Sequence, residues 1–180
     1  MSTPAQPLVG QVPEELDRLR DLYRERQPVR VLEIGVWHGG TLREWLAEDP
    51  EVVVAVDPAP QVTDYDVGDH TQLVLVVGRS QEDHVRAQIR EHAPYDWVFI
   101  DGDHEYTAVK ADTELALEVT RKGGLVVLHD IIWDKATGSI GPDQAFNELA
   151  HGRKHWSIVE DPEPSGYPPN NAHGFGIVQV

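Results

Sequence analysis

Five side chains able to move protons or hold a cation fall in two short runs, Asp101-Gly102-Asp103-His104 and His129-Asp130. Each run follows an apolar stretch, 97–100 or 125–128, that reads as a buried strand. Three carboxylates and two imidazoles on neighbouring strand ends are unfavourable to bury unless a cation compensates them or they do proton chemistry. A metal centre and an acid–base site are both open to such a cluster. A second constellation is Glu33-Ile34-Gly35-Val36-Trp37-His38-Gly39-Gly40-Thr41, after strand 29–34 and before a helix. Its glycines permit a sharp turn and close approach of a ligand, and the helix start presents amides and a positive dipole end. An ordinary tight strand–helix turn has the same look. Trp37 stands where G-x-G-x-x-G has its second glycine, which argues against a dinucleotide pyrophosphate and so against a nicotinamide reductase. Asp57, after the apolar run 52–56, is placed to accept hydrogen bonds from ribose hydroxyls, or to serve as a turn residue before Pro58. After run 73–77, Ser80 reads as an N-cap with Asp83 at N3. Gln81 carries both donor and acceptor for an adenine edge.

These residues need a scaffold that gathers the ends of separate strands. Leu16, Leu19, Leu22 and Tyr23 predict a helix over 13–26, opened by Pro13 and stopped by Pro28. Its interleaved arginines and acids read as a solvated face with i,i+4 pairs. Strands are expected at 29–34, 52–56, 73–77, 97–100, 125–128, 156–160 and 175–180. Helices are expected at 41–48, 81–91, 105–121 and 143–150, with Gly123-Gly124 ending the helix at 105–121. Residues 58–71 and 161–173 read as loops, and 1–12 as a flexible lead-in to a single domain over 13–180. Apolar strands alternating with helices predict an α/β fold, a Rossmann-like doubly wound, mostly parallel sheet with helices on both faces. Ligands in such sheets bind beyond the carboxyl ends of the strands. Trp45, Trp156, Tyr106, Val109 and Leu117 are assigned to the core, Trp37 and Trp133 to a pocket wall, and His38 and His173 to loops.

Composition narrows the function. With 180 residues, 40% hydrophobic and 26% charged, the chain is expected to form one soluble globular domain. A formal charge of −16 disfavours nucleic acid and anionic membranes as partners. The absence of cysteine excludes disulfides, Cys-ligated zinc and thiol catalysis. No run approaches the ~18 apolar residues of a membrane span, and residues 1–12 lack the features of a signal peptide, so a cytoplasmic home is expected.

The segments VLEIGVWHGGT, VVGRSQED, WVFIDGDHEYTAVKAD and GGLVVLHDI, in that order at successive strand ends, resemble the class I S-adenosylmethionine-dependent methyltransferases. The likeness is to their small-molecule O-methyltransferase branch, with the catechol and macrolide-sugar enzymes and cephalosporin hydroxylase-like proteins, and it runs from about residue 29 to 180. The resemblance implies a seven-stranded sheet with an antiparallel last strand. It implies that Glu33, Gly35 and Gly39 line the methionine end of the cofactor, that Asp57 binds the ribose, and that Ser80 and Gln81 flank the adenine. Asp101 falls beside the cofactor as well. In metal-dependent relatives, the matching positions Asp101, His129 and Asp130 hold a divalent cation, and His104 stands where several place a general base. Two departures are visible. The family's pair after strand five is usually Asp-Asp, Asp-Asn or Glu-Asp, whereas His129-Asp130 favours Mn²⁺, Fe²⁺ or Zn²⁺ over Mg²⁺ if the imidazole ligates. The stretch 58–71 also lacks the usual linking helix. The activity implied is methyl transfer to a small-molecule hydroxyl, assisted by Mg²⁺ or Mn²⁺; apart from the resemblance, a homodimer through the N-terminal helix is open to the chain. The rival readings are an Fe²⁺-dependent hydroxylase on the same fold and a non-catalytic cofactor-binding module.

Overall fold

The computed structural model describes residues 11–132, 141–160 and 173–180. Trp133 and most of the lead-in and of loop 161–173 lie outside these. The described residues form α1 (Pro13–Arg26), β1 (Arg30–Ile34), α2 (Gly40–Leu46), β2 (Val52–Asp57), β3 (Gln72–Val77) and α3 (Asp83–Glu91). There follow β4 (Tyr95–Ile100), α4 (Tyr106–Val119), β5 (Thr120–Ile132), α5 (Gly141–Ala150), β6 (Lys154–Ile158) and β7 (His173–Gln179). The seven strands make one sheet in the order β3-β2-β1-β4-β5-β7-β6. β7 is antiparallel to both its neighbours, and the pairs among β1 to β5 are parallel. The expected doubly wound sheet with its antiparallel last strand is the fold observed. No described helix is long and apolar enough to cross a membrane.

The period-2 alternation of the strands divides two apolar layers. Leu32, Ile34, Val98, Ile100, Val126 and Leu128 face α3, α4 and α5. Val31, Val53, Trp97, Phe99, Val127 and Ile177 face α1 and α2. On that second side Tyr23 stacks on Trp45 at 4.8 Å and meets the edge of Trp97 at 5.1 Å. Trp45 is core, as expected, and Leu117 and Trp156 pack against the core while partly exposed. Tyr106 is not core: it stands half-buried at the start of α4, and its hydroxyl donates to Glu148 at 2.6 Å.

Three expectations are corrected by local pairing. The helix expected to reach 121 stops at Val119, because Thr120 adopts extended backbone and pairs with Tyr95. The Thr120 hydroxyl donates to the Ala116 carbonyl at 2.6 Å and closes the last turn. Gly123-Gly124 therefore lies inside β5, where Gly124 passes against the Asp96 backbone. His173 is not a loop residue but opens β7. It is buried, with Nδ1 2.7 Å from Glu15 of α1. Glu15 is fully buried, and its carboxylate also accepts the backbone amides of Glu160 and Gly174 at 2.9 Å. Finally, the charged face of α1 is not only solvated. Arg20 and Arg24 pair along the helix at i,i+3, and they also reach Glu44 on α2 and Glu48 just after it.

Candidate active site

The carboxyl ends of β1 to β5 open into one cleft of about 760 Å³. Gly35, Asp57, Ser80, Gln81, Asp101, His104, His129 and Asp130 all line it. Trp37 does too, 53% exposed at its wall. Glu33 and Gly39 do not line it.

The turn after β1 is shaped by its neighbours in the chain. Gly35 has φ +93°, and a Cβ there would overlap the carbonyl of Asp101, so the close approach is to the end of β4. Gly39, at φ +70°, precedes α2, and a Cβ would strike the Tyr65 ring. Asp57 braces the same turn. Its Oδ2 accepts the amides of Val36 and Trp37, both at 2.9 Å, and its Oδ1 accepts Ala59 N at 2.7 Å. A carboxylate has about four acceptor positions, so one remains open beyond these three amides.

Glu33 lies fully buried beneath the cleft, its Oε1 accepting the Thr41 hydroxyl at 2.6 Å. Burial pushes its pKa up to about 8, and the Thr41 hydroxyl offsets only part of that. An unfolded glutamate releases its proton near 4.5. Between these values the folded chain keeps a proton that the unfolded chain has lost, so stability falls as pH rises through the window. Glu33→Gln should remove that loss. The melting temperature of the variant relative to the native chain is expected to climb steadily from about pH 5 to about pH 8. A constant difference across that range would mean that Glu33 is ionised in the fold.

On the β3 side, Ser80 is not the N-cap expected. α3 begins at Asp83, with Glu82 as its cap residue. Ser80 is buried instead against α4, its hydroxyl donating to Asp112 Oδ1 at 2.5 Å, and Gln81 Nε2 reaches the same oxygen at 2.9 Å.

The acid–histidine cluster is built by an irregularity in β5. Val126 and Leu128 face the α3–α5 layer, and the next residue in that layer is Ile131 rather than Asp130. The register with β7 shifts between His129 and Ile132, and Asp130 has φ +59°. A bulge of this kind re-aims side chains, and here His129 and Asp130 both turn to the cleft. The strand thus continues past Leu128, where it was expected to end. His129 Nδ1 lies 3.1 Å from Asp101 Oδ1 and 3.3 Å from Asp130 Oδ1. Burial opposes a charge on His129, but the two aspartates outweigh it and raise its pKa to about 9. Burial likewise raises the Asp130 carboxyl, against the pull of His129. On the cleft side, His104 Nε2 lies 3.1 Å from Asp130 Oδ2. Among the described residues, Asp101, His104 and Asp130 form the group whose ligand atoms all lie within 4.8 Å of one another. Two carboxylates and an imidazole suit a divalent cation. The imidazole in this group is that of His104, while His129 sits behind as a charge partner.

Two residues of the site escape a reading of the sequence. Gln11, expected in a flexible lead-in, is buried and donates from Nε2 to Asp101 Oδ2 at 2.6 Å. No sequence signal marks it. Asp112 had one: it falls on the stripe Val109, Thr113, Ala116 that buries α4, where a carboxylate needs a reason.

A Rossmann-like sheet of this strand order, with a cleft at the carboxyl ends of its strands and an acid after β2, is the architecture of the class I methyltransferases. The chain belongs to the methyltransferase domain family, whose model matches residues 32–131. No curated protein sequence matches it. Among solved structures, an O-methyltransferase from Bacillus cereus in complex with SAH aligns with TM-score 0.68 and 18% identity, over 98% of this chain and 84% of that one. TomG from Streptomyces achromogenes, an O-methyltransferase involved in tomaymycin synthesis and solved with SAM, aligns with TM-score 0.65 and 20% identity, over 98% and 82%. MycE, a methyltransferase of the mycinamycin biosynthetic pathway in complex with Mg, SAH and mycinamycin VI, aligns with TM-score 0.60 and 22% identity, over 92% of this chain and 48% of that one. At these identities the likeness is one of fold.

Proposed function

We propose that the chain is an S-adenosylmethionine-dependent O-methyltransferase for a small hydroxyl-bearing molecule, assisted by a divalent cation. The observation that carries this reading is the continuity of one cleft from Asp57 and Gln81 to Asp101, His104 and Asp130. Methyl transfer from a sulfonium to a hydroxyl is an in-line displacement, so donor and acceptor must lie end to end away from water. A group must also take up the hydroxyl proton. The donor set fits both tasks. Asp57 retains an acceptor position for a ribose hydroxyl, Gln81 offers an amide to the ring, and Trp37 walls the cleft. Asp101, His104 and Asp130 would hold the cation, which supplies a Lewis acid that lowers a hydroxyl's pKa. The presence of Mg in the MycE complex supports that part of the reading. His104, paired with Asp130, is the group placed to accept a proton where no cation occupies the cluster. Five aspartates border the cleft, Asp57, Asp101, Asp103, Asp112 and Asp130, and Arg79, which also lines it, is paired with Asp103. Such a lining favours a neutral or cationic acceptor over a phosphorylated one.

Mass spectrometry of small molecules co-purified with the protein is expected to find S-adenosylmethionine or S-adenosylhomocysteine. Recovery of a nicotinamide dinucleotide instead would overturn the cofactor assignment.

A further inference from the structure

Asp112 is 1% exposed on α4, yet it borders the cleft. Its Oδ1 accepts from the Ser80 hydroxyl and from Gln81 Nε2. Ser80 has a single proton, which is committed to Asp112 at 2.5 Å, so its oxygen accepts from Gln81 Nε2 at 2.8 Å. Both partners of the Gln81 amide nitrogen are therefore acceptors. This fixes the direction of the amide, which atom positions alone leave ambiguous. The nitrogen faces Ser80 and Asp112, and Oε1 remains as the acceptor offered to a ligand.

We propose that Asp112 is a specificity-determining residue: by holding the Gln81 amide nitrogen and the Ser80 proton, it makes the cleft select a purine with a hydrogen-bond donor at its 6-position. The inference rests on the S-adenosylmethionine reading above and adds the device that fixes the ring. Adenine presents an amino group to Gln81 Oε1. A 6-oxo purine presents an acceptor at the 6-position and a donor only at N1, so Gln81 Oε1 would meet an oxygen where adenine offers a proton. Without Asp112 the amide is free to turn and serve either ring. Burial raises the Asp112 pKa to about 6, with Ser80 and Arg86 holding it down, so the carboxylate is an acceptor alone above neutrality.

The test is calorimetric binding of S-adenosylhomocysteine and S-inosylhomocysteine at about pH 8 to the native chain, Asp112→Leu, Gln81→Met and the double variant. The native chain is expected to prefer the adenosyl compound by roughly tenfold or more, the factor that one mismatched hydrogen bond carries. Each single variant should bring the two affinities to within about threefold, and the double variant should go no further, because both changes remove one device. A purely structural Asp112 would weaken both ligands alike and leave the ratio unchanged, which overturns the proposal, as does a native chain that binds both equally. A native chain that binds neither compound fails the cofactor reading itself. If thermal melts show Asp112→Leu unfolded, Gln81→Met and Asp112→Asn decide. The first must lose the preference and the second, which keeps an acceptor oxygen, must retain most of it; either failing refutes the assignment.

Discussion

Replacing His104 by alanine is expected to lower turnover by about 10²–10⁴-fold, the range general acid–base groups contribute, with S-adenosylhomocysteine affinity within about twofold of the native value. The split follows from where the side chain stands. His104 comes directly after β4 and its ring pairs across to Asp130 on β5, whereas Asp57, Ser80 and Gln81 follow β2 and β3. Its side chain is 42% exposed while that of Asp130 is 9% exposed, so the imidazole meets the cleft and the carboxylate anchors it from behind. An orienting carboxylate of this kind fixes an imidazole for proton transfer, and equally for ligation. In both cases losing the ring removes the group next to the reacting hydroxyl and leaves the nucleoside side untouched. Initial rates together with calorimetric titration of the product measure both halves. Turnover near the native value would remove His104 from the chemistry, and a parallel loss of cofactor affinity would make its role one of shape.

The central strands were legible because they obey one rule, an apolar residue at nearly every position of a strand buried on both faces, as at 52–56 and 97–100, whereas the edge strand β6 is mostly exposed. The strand-end logic then placed Asp57, Ser80, Gln81, Asp101, His104, His129 and Asp130 on one cleft. What escaped depends on tertiary pairing. Thr120 has the helical pattern behind it, and only its pairing with Tyr95 makes it a strand residue. The bulge at His129-Asp130 has no composition cue, because a left-handed aspartate looks like any other aspartate in sequence. The two histidines also part at that bulge: His129 is buried between Asp101 and Asp130, while the exposed His104 pairs with Asp130 from the open side of the cleft. Gln11 was hidden for a different reason. Its role comes from a contact 90 residues away along the chain, between a segment rich in proline and the end of β4. Gly35 and Gly39 were read as permitting a sharp turn and the close approach of a ligand, and the approach seen in the fold is that of Asp101 and Tyr65, within the protein.

Stripping divalent ions with EDTA is expected to suppress methyl transfer by at least about tenfold, and Mn²⁺ should restore it better than Mg²⁺. The argument starts from charge. Asp101 and Asp130 converge with His104 within 4.8 Å, and Asp103 borders the same space. His129, charged at neutral pH, offsets one carboxylate from below, which leaves the cluster net negative. Carboxylates this close do not stay ionised together without compensation, and Arg79, the arginine among the lining residues, pairs with Asp103 at 3.4 Å rather than with Asp101 or Asp130. A cation answers that need, and an imidazole in the ligand set shifts the preference from a hard oxygen-seeking ion toward Mn²⁺. Binding can be read without turnover. Mn²⁺ should raise the melting temperature of the native chain, because a ligand of the folded state alone stabilises it, and the rise should vanish in Asp130→Asn and shrink in His104→Ala. Iron content and oxygen consumption measured on the same preparations separate methyl transfer from an oxygen-dependent reaction on this scaffold. Full activity in metal-free protein, with no thermal response to Mn²⁺, would leave the cluster as an acid–base device. In that case His104 and Asp130 carry the proton by themselves, and His129 serves only as the charge partner of Asp101 and Asp130 beside them.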